Sequence, residues 1–262
     1  MASQKPIVRM EAIHKYFGPV RALQGVDLQL QRREVLGLVG DNGAGKSTLM
    51  KVLTGVYQPD QGQIYLEGEA IRFQSPHDSR AAGIEMVYQD LALAGNLNVT
   101  GNIFLGQELT QKHLGGLFRF LNHQQMANEA TRLLERLRID IRSVEYQVET
   151  LSGGQRQAVA IARCMGFNAR VVIMDEPTAA LAVKEVGKVL ELIRGLKELD
   201  VGVILISHRM QDIFEVCDRI MVLRQGRVVG DLYHSQTHMD EIVALITGAQ
   251  EAALPASGKE VA

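Results

Sequence analysis

A glycine-rich segment near the start of the chain has the residues of a phosphate-binding loop. Residues 40–48 read GDNGAGKST, in which Gly40 and Gly45, with four residues between them, precede Lys46 and Ser47. Glycines let such a loop curl so that its amide N–H groups point at phosphate oxygens, and the following helix presents its positive end to the same anion. The lysine supplies a point charge to the β- and γ-phosphates, and the serine hydroxyl ligates Mg²⁺. The candidate nucleotide ligands are Gly40, Asp41, Asn42, Gly43, Ala44, Gly45, Lys46, Ser47 and Thr48.

A chance match is the alternative interpretation of this loop, because the chain contains 25 glycines. The context argues against chance. An apolar segment at 35–39 predicts a buried strand before the loop, and residues 47–54 predict a helix after it. Strand, loop and helix in this order are typical of nucleotide-binding α/β folds. We therefore predict a nucleotide phosphate site.

Two adjacent acids, Asp175 and Glu176, follow the apolar segment at 171–174. A buried strand would hold them at its carboxyl end, where α/β sheets place their ligands. In that position Asp175 would hold Mg²⁺, and Glu176 would orient or deprotonate an attacking water molecule. The alternative is that two acids only close and solvate the end of a strand. Together with the phosphate loop, the pair indicates a hydrolase rather than a passive binder.

A second candidate anion site lies at residues 151–157, which read LSGGQRQ. Ser152 could cap a helix that runs to about 166, and Gly153 and Gly154 would leave backbone N–H groups free for an anion. A plain helix cap with a glycine-rich entry is the alternative. One nucleotide cannot easily contact both the phosphate loop and the 151–157 segment of the same polypeptide. The pattern therefore raises the question of how both sites are used.

The strand patterns predict the framework that positions these residues. Short strands with alternating character cover 7–30, with breaks expected at Gly18-Pro19 and at Gly25. Further strand patterns occur at 170–174 and 202–206, each separated from its neighbours by helical segments. That alternation predicts a parallel sheet.

Helical periodicity prevails from about 95 to 165 and is clearest at 122–138. It predicts a helical subdomain inserted into the sheet. A hairpin is predicted over 218–230, followed by a helix near 239–247. We expect the small, polar tail from 249 to be mobile.

The composition excludes several classes of protein. With 262 residues, 46% apolar and 22% charged, the chain can bury a full core, so wholesale disorder is not expected. The net charge of −2, without a long run of Lys and Arg, disfavours nucleic acid as a partner. The N-terminus lacks an apolar signal region, and no run of eighteen apolar residues occurs, which predicts a protein that neither spans the membrane nor is exported. Cys164 and Cys217 lack metal-ligand spacing and are expected to be reduced, semi-buried core residues.

The Leu-Ser-Gly-Gly-Gln string, together with the phosphate loop and the acid pair that follows it, resembles the ATP-binding-cassette (ABC) proteins over about residues 6–248. The resemblance implies an α/β fold: a P-loop NTPase core with a parallel sheet, an N-terminal antiparallel β subdomain and an α-helical subdomain inserted at about 90–165, with a flexible tail at 249–262. It also implies that two cassettes pair head to tail, so that the signature of one faces the phosphate loop of the other. With one loop and one signature, the chain would form a homodimer that holds two ATP molecules with Mg²⁺.

The same resemblance assigns further residues by their order in the chain. Gln89 looks like the glutamine that contacts Mg²⁺ or the attacking water, which with Ser47 and Asp175 completes the metal set. His208 looks like the histidine that contacts the γ-phosphate, and Phe17 like the aromatic that stacks on adenine. The resemblance implies that the ATP ligands in the signature are Ser152, Gly153, Gly154 and Gln155. It implies that the catalytic residues are Glu176, His208 and Gln89.

One position departs from the family pattern. After EPTAAL, where many cassettes have an aspartate that contacts the partner, this chain has Ala182. Its effect on the coupling of the two sites stays open, and a surface alanine without consequence is the alternative.

Several strings look like the monosaccharide-importer branch, in its single-cassette, fructose-type form: GDNGAGKST, QDLAL, NIFLG, EPTAAL and LITG. The resemblance implies an ATPase that powers a bacterial importer for a ribose-, xylose- or fructose-class sugar. It would lie on the cytoplasmic face of the inner membrane, bound to permease subunits and served by a sugar-binding protein. The rival hypotheses are a soluble cassette acting on ribosomes or DNA, a GTPase-type switch and a degenerate cassette that binds without hydrolysis. A second cassette, a coiled-coil insertion and an Asn-Lys-x-Asp guanine motif are all absent from the sequence.

Overall fold

A computed structural model describes residues 5–113 and 118–250 of the chain. The strands in these residues, in chain order, are β1 (Val8–Phe17), β2 (Val20–Leu30), β3 (Val35–Val39), β4 (Gln61–Leu66), β5 (Glu69–Ile71), β6 (Ile84–Val87), β7 (Thr110–His113), β8 (Phe118–Leu121), β9 (Val171–Asp175), β10 (Gly202–Ile206), β11 (Arg219–Arg224) and β12 (Arg227–Tyr233). The α-helices are α1 (Lys46–Leu53), α2 (Pro76–Ala81), α3 (Val99–Ile103), α4 (His123–Arg136), α5 (Gly153–Gly166), α6 (Val183–Glu198), α7 (Met210–Val216) and α8 (Met239–Thr247). Short 3₁₀ helices occupy Val148–Thr150 and His234–Gln236.

A six-stranded sheet in the order β12-β11-β3-β10-β9-β6 forms the centre of the molecule. Neighbours from β11 to β6 are parallel, and β12 pairs antiparallel with β11 at one edge. Every residue of β3 and β10 is buried, because the sheet has a hydrophobic core on each face. One face packs with α5 and α6, and the other packs with α1, β1 and β2. The predicted parallel sheet is confirmed, and the carboxyl ends of β3, β9 and β10 lie side by side at one edge.

A second, antiparallel sheet in the order β2-β1-β4-β5 packs beside the first and confirms the antiparallel β arrangement. The predicted break at Gly25 was wrong, because β2 continues through it. Gly25 has φ +72° and no partner in the β1–β2 register, where Gln24 pairs with His14 and Val26 with Ile13. Glycine there forms a bulge rather than a turn, because it adopts positive φ without steric cost.

The segment between β6 and β9 contains α3, α4 and α5, as the helical periodicity predicts. It also contains a two-stranded sheet of β7 and β8, so the helical interpretation was wrong for these residues. Each strand has four residues, too short for its alternation to stand out in a longer helical window. The limits of an inserted subdomain at about 90–165 stay a prediction.

The C-terminal hairpin of β11 and β12 and the helix α8 agree with the predicted positions. Most of the tail predicted to be mobile, residues 251–262, lies outside the described residues. Cys164 and Cys217 are free and more deeply buried than expected, at 3% and 5% exposure. No helix in the described part of the chain is long and apolar enough to cross a bilayer.

Candidate functional site

The loop between β3 and α1 has the shape of an anion cradle. It leaves the buried end of β3 and enters α1 through Gly45, the N-cap residue, at φ +108°. Gly40 has φ +149°, and a Cβ there would clash with the carbonyl oxygen of Leu223 on β11. A Cβ on Gly45 would lie 2.8 Å from the Ala22 carbonyl oxygen of β2. Two of the three loop glycines are therefore required by close backbone packing, which fixes the loop over the start of the helix.

Lys46 closes this loop from inside. Its Nζ donates hydrogen bonds to the carbonyl oxygens of Gly40 at 2.6 Å and Asp41 at 3.0 Å. Burial lowers the pKa of Lys46, while Glu176 and Asp175 act in the opposite direction. The ammonium group is thus held partly out of water among neutral acceptors, where an added anion would gain a strong electrostatic interaction.

Asp175 and Glu176 lie opposite the loop, at the end of β9. Burial raises the pKa of both carboxyl groups, and Lys46 partly offsets this for each. The Glu176 amide donates to the Ile206 carbonyl oxygen of β10 at 2.9 Å, and Glu176 has φ +51°. A non-glycine residue in the left-handed region is uncommon and is found more often at functional sites.

One carboxylate oxygen of Glu176 has no hydrogen-bond partner among the described residues. Its Oε2 atom accepts a hydrogen bond from the His208 amide at 3.3 Å, whereas Oε1 is buried and accepts none from the described residues. The His208 Nε2 atom lies 3.4 Å from Oε1. An unsatisfied buried carboxylate oxygen is costly unless another group, such as a water molecule, completes it. The arrangement fits a base that positions a water molecule.

These residues share one cavity of about 770 Å³. Its walls come from the phosphate loop and α1, the ends of β9 and β10, Gln89 and the start of β2. The predicted site residues that line it are Asn42, Gly43, Ala44, Gly45, Lys46, Ser47, Thr48, Gln89, Asp175, Glu176 and His208. Gly40 and Asp41 are not in the lining, but they form the base of the loop through the bonds to Lys46. The sequence order thus predicts a set of residues that the fold brings together.

The predicted metal ligands, Ser47, Gln89 and Asp175, line this cavity and offer oxygen atoms, the donors that Mg²⁺ prefers. No group of three His, Cys, Asp or Glu in the described residues could hold a metal ion by itself. Such a sparse oxygen set suits Mg²⁺, which is commonly bound by one or two protein ligands together with phosphate oxygens and water.

The sequence patterns missed the wall of the cavity formed by Pro19, just before β2, and by Val20, Arg21, Ala22 and Gln24 of β2. Gln225, in the β11–β12 turn, also lines it. Phe17, the predicted adenine-stacking residue, is not in the lining. It is 41% exposed, and its ring packs edge-on against Tyr57 at 5.2 Å between centroids.

The signature residues lie elsewhere. Ser152 is the N-cap of α5 and forms a capping box with Gln155: the Gln155 amide donates to Ser152 Oγ at 3.3 Å, and the Ser152 amide donates to Gln155 Oε1 at 3.1 Å. The predicted helix cap is confirmed. Ser152, Gly154 and Gln155 line a second cavity, of about 640 Å³, with residues of α6. The phosphate loop and the signature segment of one chain therefore line different cavities.

Arg163, near the end of α5, is a residue that the sequence patterns missed. Its guanidinium donates to the carbonyl oxygens of Ala92 at 2.9 Å and Leu91 at 3.1 Å. These carbonyls follow Gln89 by two and three residues. The first turn of α5 thus contains the signature residues, and Arg163 near its end is hydrogen-bonded to the loop that follows Gln89.

Comparison with known proteins places these features in context. The ABC transporter family profile matches residues 23–179. The chain is 46% identical over 241 residues to the xylose/arabinose import ATP-binding protein of Sulfolobus acidocaldarius, covering 92% of this chain and 94% of that one. It is 45% identical over 251 residues to the fructose import ATP-binding protein of Rhizobium meliloti, covering 95% and 96%. The crystal structure of a nucleotide-free ATP-binding cassette from an ABC transporter is similar at a TM-score of 0.76 and 28% identity, covering 92% of this chain and 95% of that one.

Proposed function

The chain belongs to the ABC transporter family, and from that premise we propose that it is the ATP-hydrolysing subunit of a bacterial importer for a monosaccharide. One observation carries the proposal. A cavity of about 770 Å³ brings a glycine cradle and Lys46 against two carboxyl groups of raised pKa, and a buried oxygen of Glu176 is left without a hydrogen bond. This combination supports hydrolysis over binding alone.

In this proposal the loop amides and Lys46 bind the β- and γ-phosphates, replacing the Gly40 and Asp41 carbonyls as partners of the ammonium group. Ser47, Gln89 and Asp175 would hold Mg²⁺, which supplies charge neutralisation on the phosphate oxygens. Phe17 is the proposed stacking surface for the base, supported by its exposed ring. Val20, which begins the next strand three residues after Phe17, is 60% exposed and lines the cavity.

Glu176 is the proposed base. Its Oε1 atom would accept a proton or a hydrogen bond from the attacking water, and the His208 amide holds the other oxygen. The raised pKa brings the carboxyl group closer to the range in which proton transfer at neutral pH is efficient. His208, 54% exposed at its side chain, is free to turn toward a γ-phosphate.

We further propose that two copies assemble head to tail with two ATP molecules between them. The placement of the two segments supports this, because Ser152, Gly154 and Gln155 line a different cavity from the phosphate loop of the same chain. A partner copy would supply them. Hydrolysis would reopen the assembly. Gln89 would report the nucleotide state to the helical subdomain at about 90–165, which would transmit the motion to permease subunits at the cytoplasmic face of the inner membrane.

The monosaccharide cargo is proposed from similarity to the two import proteins, whose names specify xylose/arabinose and fructose. A sugar-binding protein would deliver the cargo, and the permease would carry it. Co-purification of the full-length chain with a permease from solubilised membranes tests the partner, and ligand binding by the associated sugar-binding protein identifies the sugar.

The ATPase rate of the wild type and of Glu176→Gln tests the enzymatic part. We expect hydrolysis by the wild type and a loss of about 10²- to 10⁴-fold in kcat in the variant, with nucleotide binding retained. With ATP and Mg²⁺, the variant should elute as a stable dimer in gel filtration. Glu135→Gln, at an exposed site on α4 outside the linings of both cavities, is the control. Negligible rates in both the wild type and Glu176→Gln would support a degenerate cassette, and a persistent monomer would contradict the dimer.

A further inference from the structure

The signature cradle is in contact with the first turn of α6. Glu185 lies across the two signature glycines: a Cβ on Gly154 would lie 2.9 Å from Glu185 Cβ and 3.4 Å from its carboxyl carbon. A Cβ on Gly153 would lie 3.5 Å from Glu185 Oε2 and 2.8 Å from Leu181 Cδ2. The glycines therefore allow the Glu185 side chain to lie flat against the start of α5.

The carboxylate is stabilised in this position. The Ser152 side chain and the Gly154 amide lower the pKa of Glu185, with a further contribution from the Ala182 amide at the start of its own helix. A negative charge at the N-terminus of α5 is also favoured by the helix dipole. The groups that the proposed function assigns to a phosphate thus already face an anion from the same chain.

We propose that Glu185 is the resident anion of the cradle formed by Ser152 and Gly154, and that the γ-phosphate bound to a partner copy must displace it before the two copies close. The inference rests on the proposed function. Each backbone amide has a single hydrogen, and two anions within a few ångströms repel each other, so carboxylate and phosphate compete for the cradle. Glu185 is then a positioning residue that sets the ATP concentration at which the dimer forms.

A purely structural role for Glu185 predicts something different. It is the third residue of α6, where a glutamate side chain commonly accepts a hydrogen bond from the N-cap amide. Ala182, the N-cap residue, has no polar side chain that could cap the helix. If capping were its only role, replacing Glu185 would lower the melting temperature and leave the ATP dependence of dimerisation unchanged.

The test uses full-length protein with Glu176→Gln as the parent, so that ATP is not consumed. Dimer formation is followed by light scattering as ATP with Mg²⁺ is added. Adding Glu185→Gln keeps the shape of the side chain and removes its charge, which weakens its hold on the amide and the hydroxyl. We expect the half-maximal ATP concentration to fall by about threefold to tenfold.

Two further variants make the result specific. Glu135→Gln makes the same charge change at an exposed site of α4, outside the linings of both cavities, and should leave the ATP concentration unchanged. Glu185→Asp keeps the charge on a side chain shorter by one methylene group, which withdraws it from Gly154, and should lower the ATP concentration as Glu185→Gln does. Melting temperatures without nucleotide identify any variant that does not fold.

The outcomes separate the inference from the function on which it rests. A parent that dimerises while the folded Glu185 variants need the same or more ATP overturns the inference alone. A parent that stays monomeric at every ATP concentration contradicts the proposed dimer, and the inference with it. A lower ATP requirement in both Glu185 variants, with Glu135→Gln unchanged, supports the displacement.

Discussion

The His208 amide nitrogen lies 3.3 Å from Oε2 of Glu176, while the His208 Nε2 atom lies 3.4 Å from Oε1 of the same carboxylate. The two residues follow the neighbouring parallel strands β9 and β10, whose register pairs Asp175 with Ile206. The Glu176 amide extends that ladder by donating to the Ile206 carbonyl oxygen at 2.9 Å. Backbone pairing therefore fixes where the carboxylate and the imidazole meet, and Oε1 accepts no hydrogen bond from the described residues.

The ionisation of Glu176 should make stability depend on pH. Burial raises the pKa of its carboxyl group above the ordinary value of 4.5, so the folded state binds the proton more tightly than the unfolded chain. The resulting stabilisation is complete below the ordinary pKa and is lost as pH rises through the raised pKa. Glu176→Gln does not titrate. Without nucleotide, the melting temperature of the variant minus that of the wild type should therefore increase by about 1–3 °C from about pH 4.5 to pH 8.

Glu191→Gln is the control for this comparison, since Glu191 is exposed. Its melting temperature relative to the wild type should change little over the same pH interval. A difference between Glu176→Gln and the wild type that stays constant, or shrinks as pH rises, would contradict burial as the dominant influence on the Glu176 carboxyl group.

Lys46→Ala should abolish tight nucleotide binding. The variant loses the cation that is held inside the loop by the Gly40 and Asp41 carbonyls, and the Kd for ATP should rise by about 100-fold or more. Titration with a fluorescent ATP analogue measures the change. Lys51→Ala removes a lysine from the same helix, outside the cavity lining, and should bind as the wild type does. Equal ATP affinities for Lys46→Ala and Lys51→Ala would contradict the assignment of Lys46 to the nucleotide site.

The phosphate loop and the acid pair could be predicted from sequence because each is a local pattern. Four positions at fixed spacing define the loop, and an apolar strand places Asp175 and Glu176 at its end. The walls of the cavity could not be predicted this way. Arg21 and Val20 reach it because a strand of the antiparallel sheet packs beside the loop, a contact between segments that are separate in sequence.

The turn at Gln225–Gly226 illustrates the same limit. Its sequence predicts a hairpin, but not that the Gly226 amide donates to the Ala44 carbonyl oxygen of the phosphate loop at 2.9 Å. Nor does sequence reveal that Glu185 covers Gly154, because an exposed glutamate in the first turn of a helix is common. Sequence located the chemistry, whereas tertiary packing decides which side chains surround it.

Gly40 and Gly43 should differ sharply in their tolerance of alanine. A Cβ on Gly40 would clash with the Leu223 carbonyl oxygen, whereas no atom lies within 4 Å of a Cβ on Gly43. Gly43 has φ +78°, so Gly43→Ala should cost about 1–2 kcal/mol of stability from backbone strain alone. Gly40→Ala must in addition displace β11 or the loop, and should melt at a lower temperature. Thermal unfolding of the two variants measures this, and equal melting temperatures would contradict the close packing at Gly40.

Arg163→Met should slow hydrolysis without weakening nucleotide binding. The change removes the hydrogen bonds to the Leu91 and Ala92 carbonyl oxygens but keeps a long apolar stem, so the Gln89 loop loses its support from α5. We expect kcat to fall by about tenfold, because two charge-assisted hydrogen bonds that position Gln89 indirectly are lost. The Kd for ATP should change little. Arg163→Lys, which can remake one bond, should recover part of the rate. Arg132→Met, at an exposed position of α4, is the matched control. A loss of ATP affinity equal to the loss of rate would show that Arg163 supports the fold of the whole site rather than the position of Gln89.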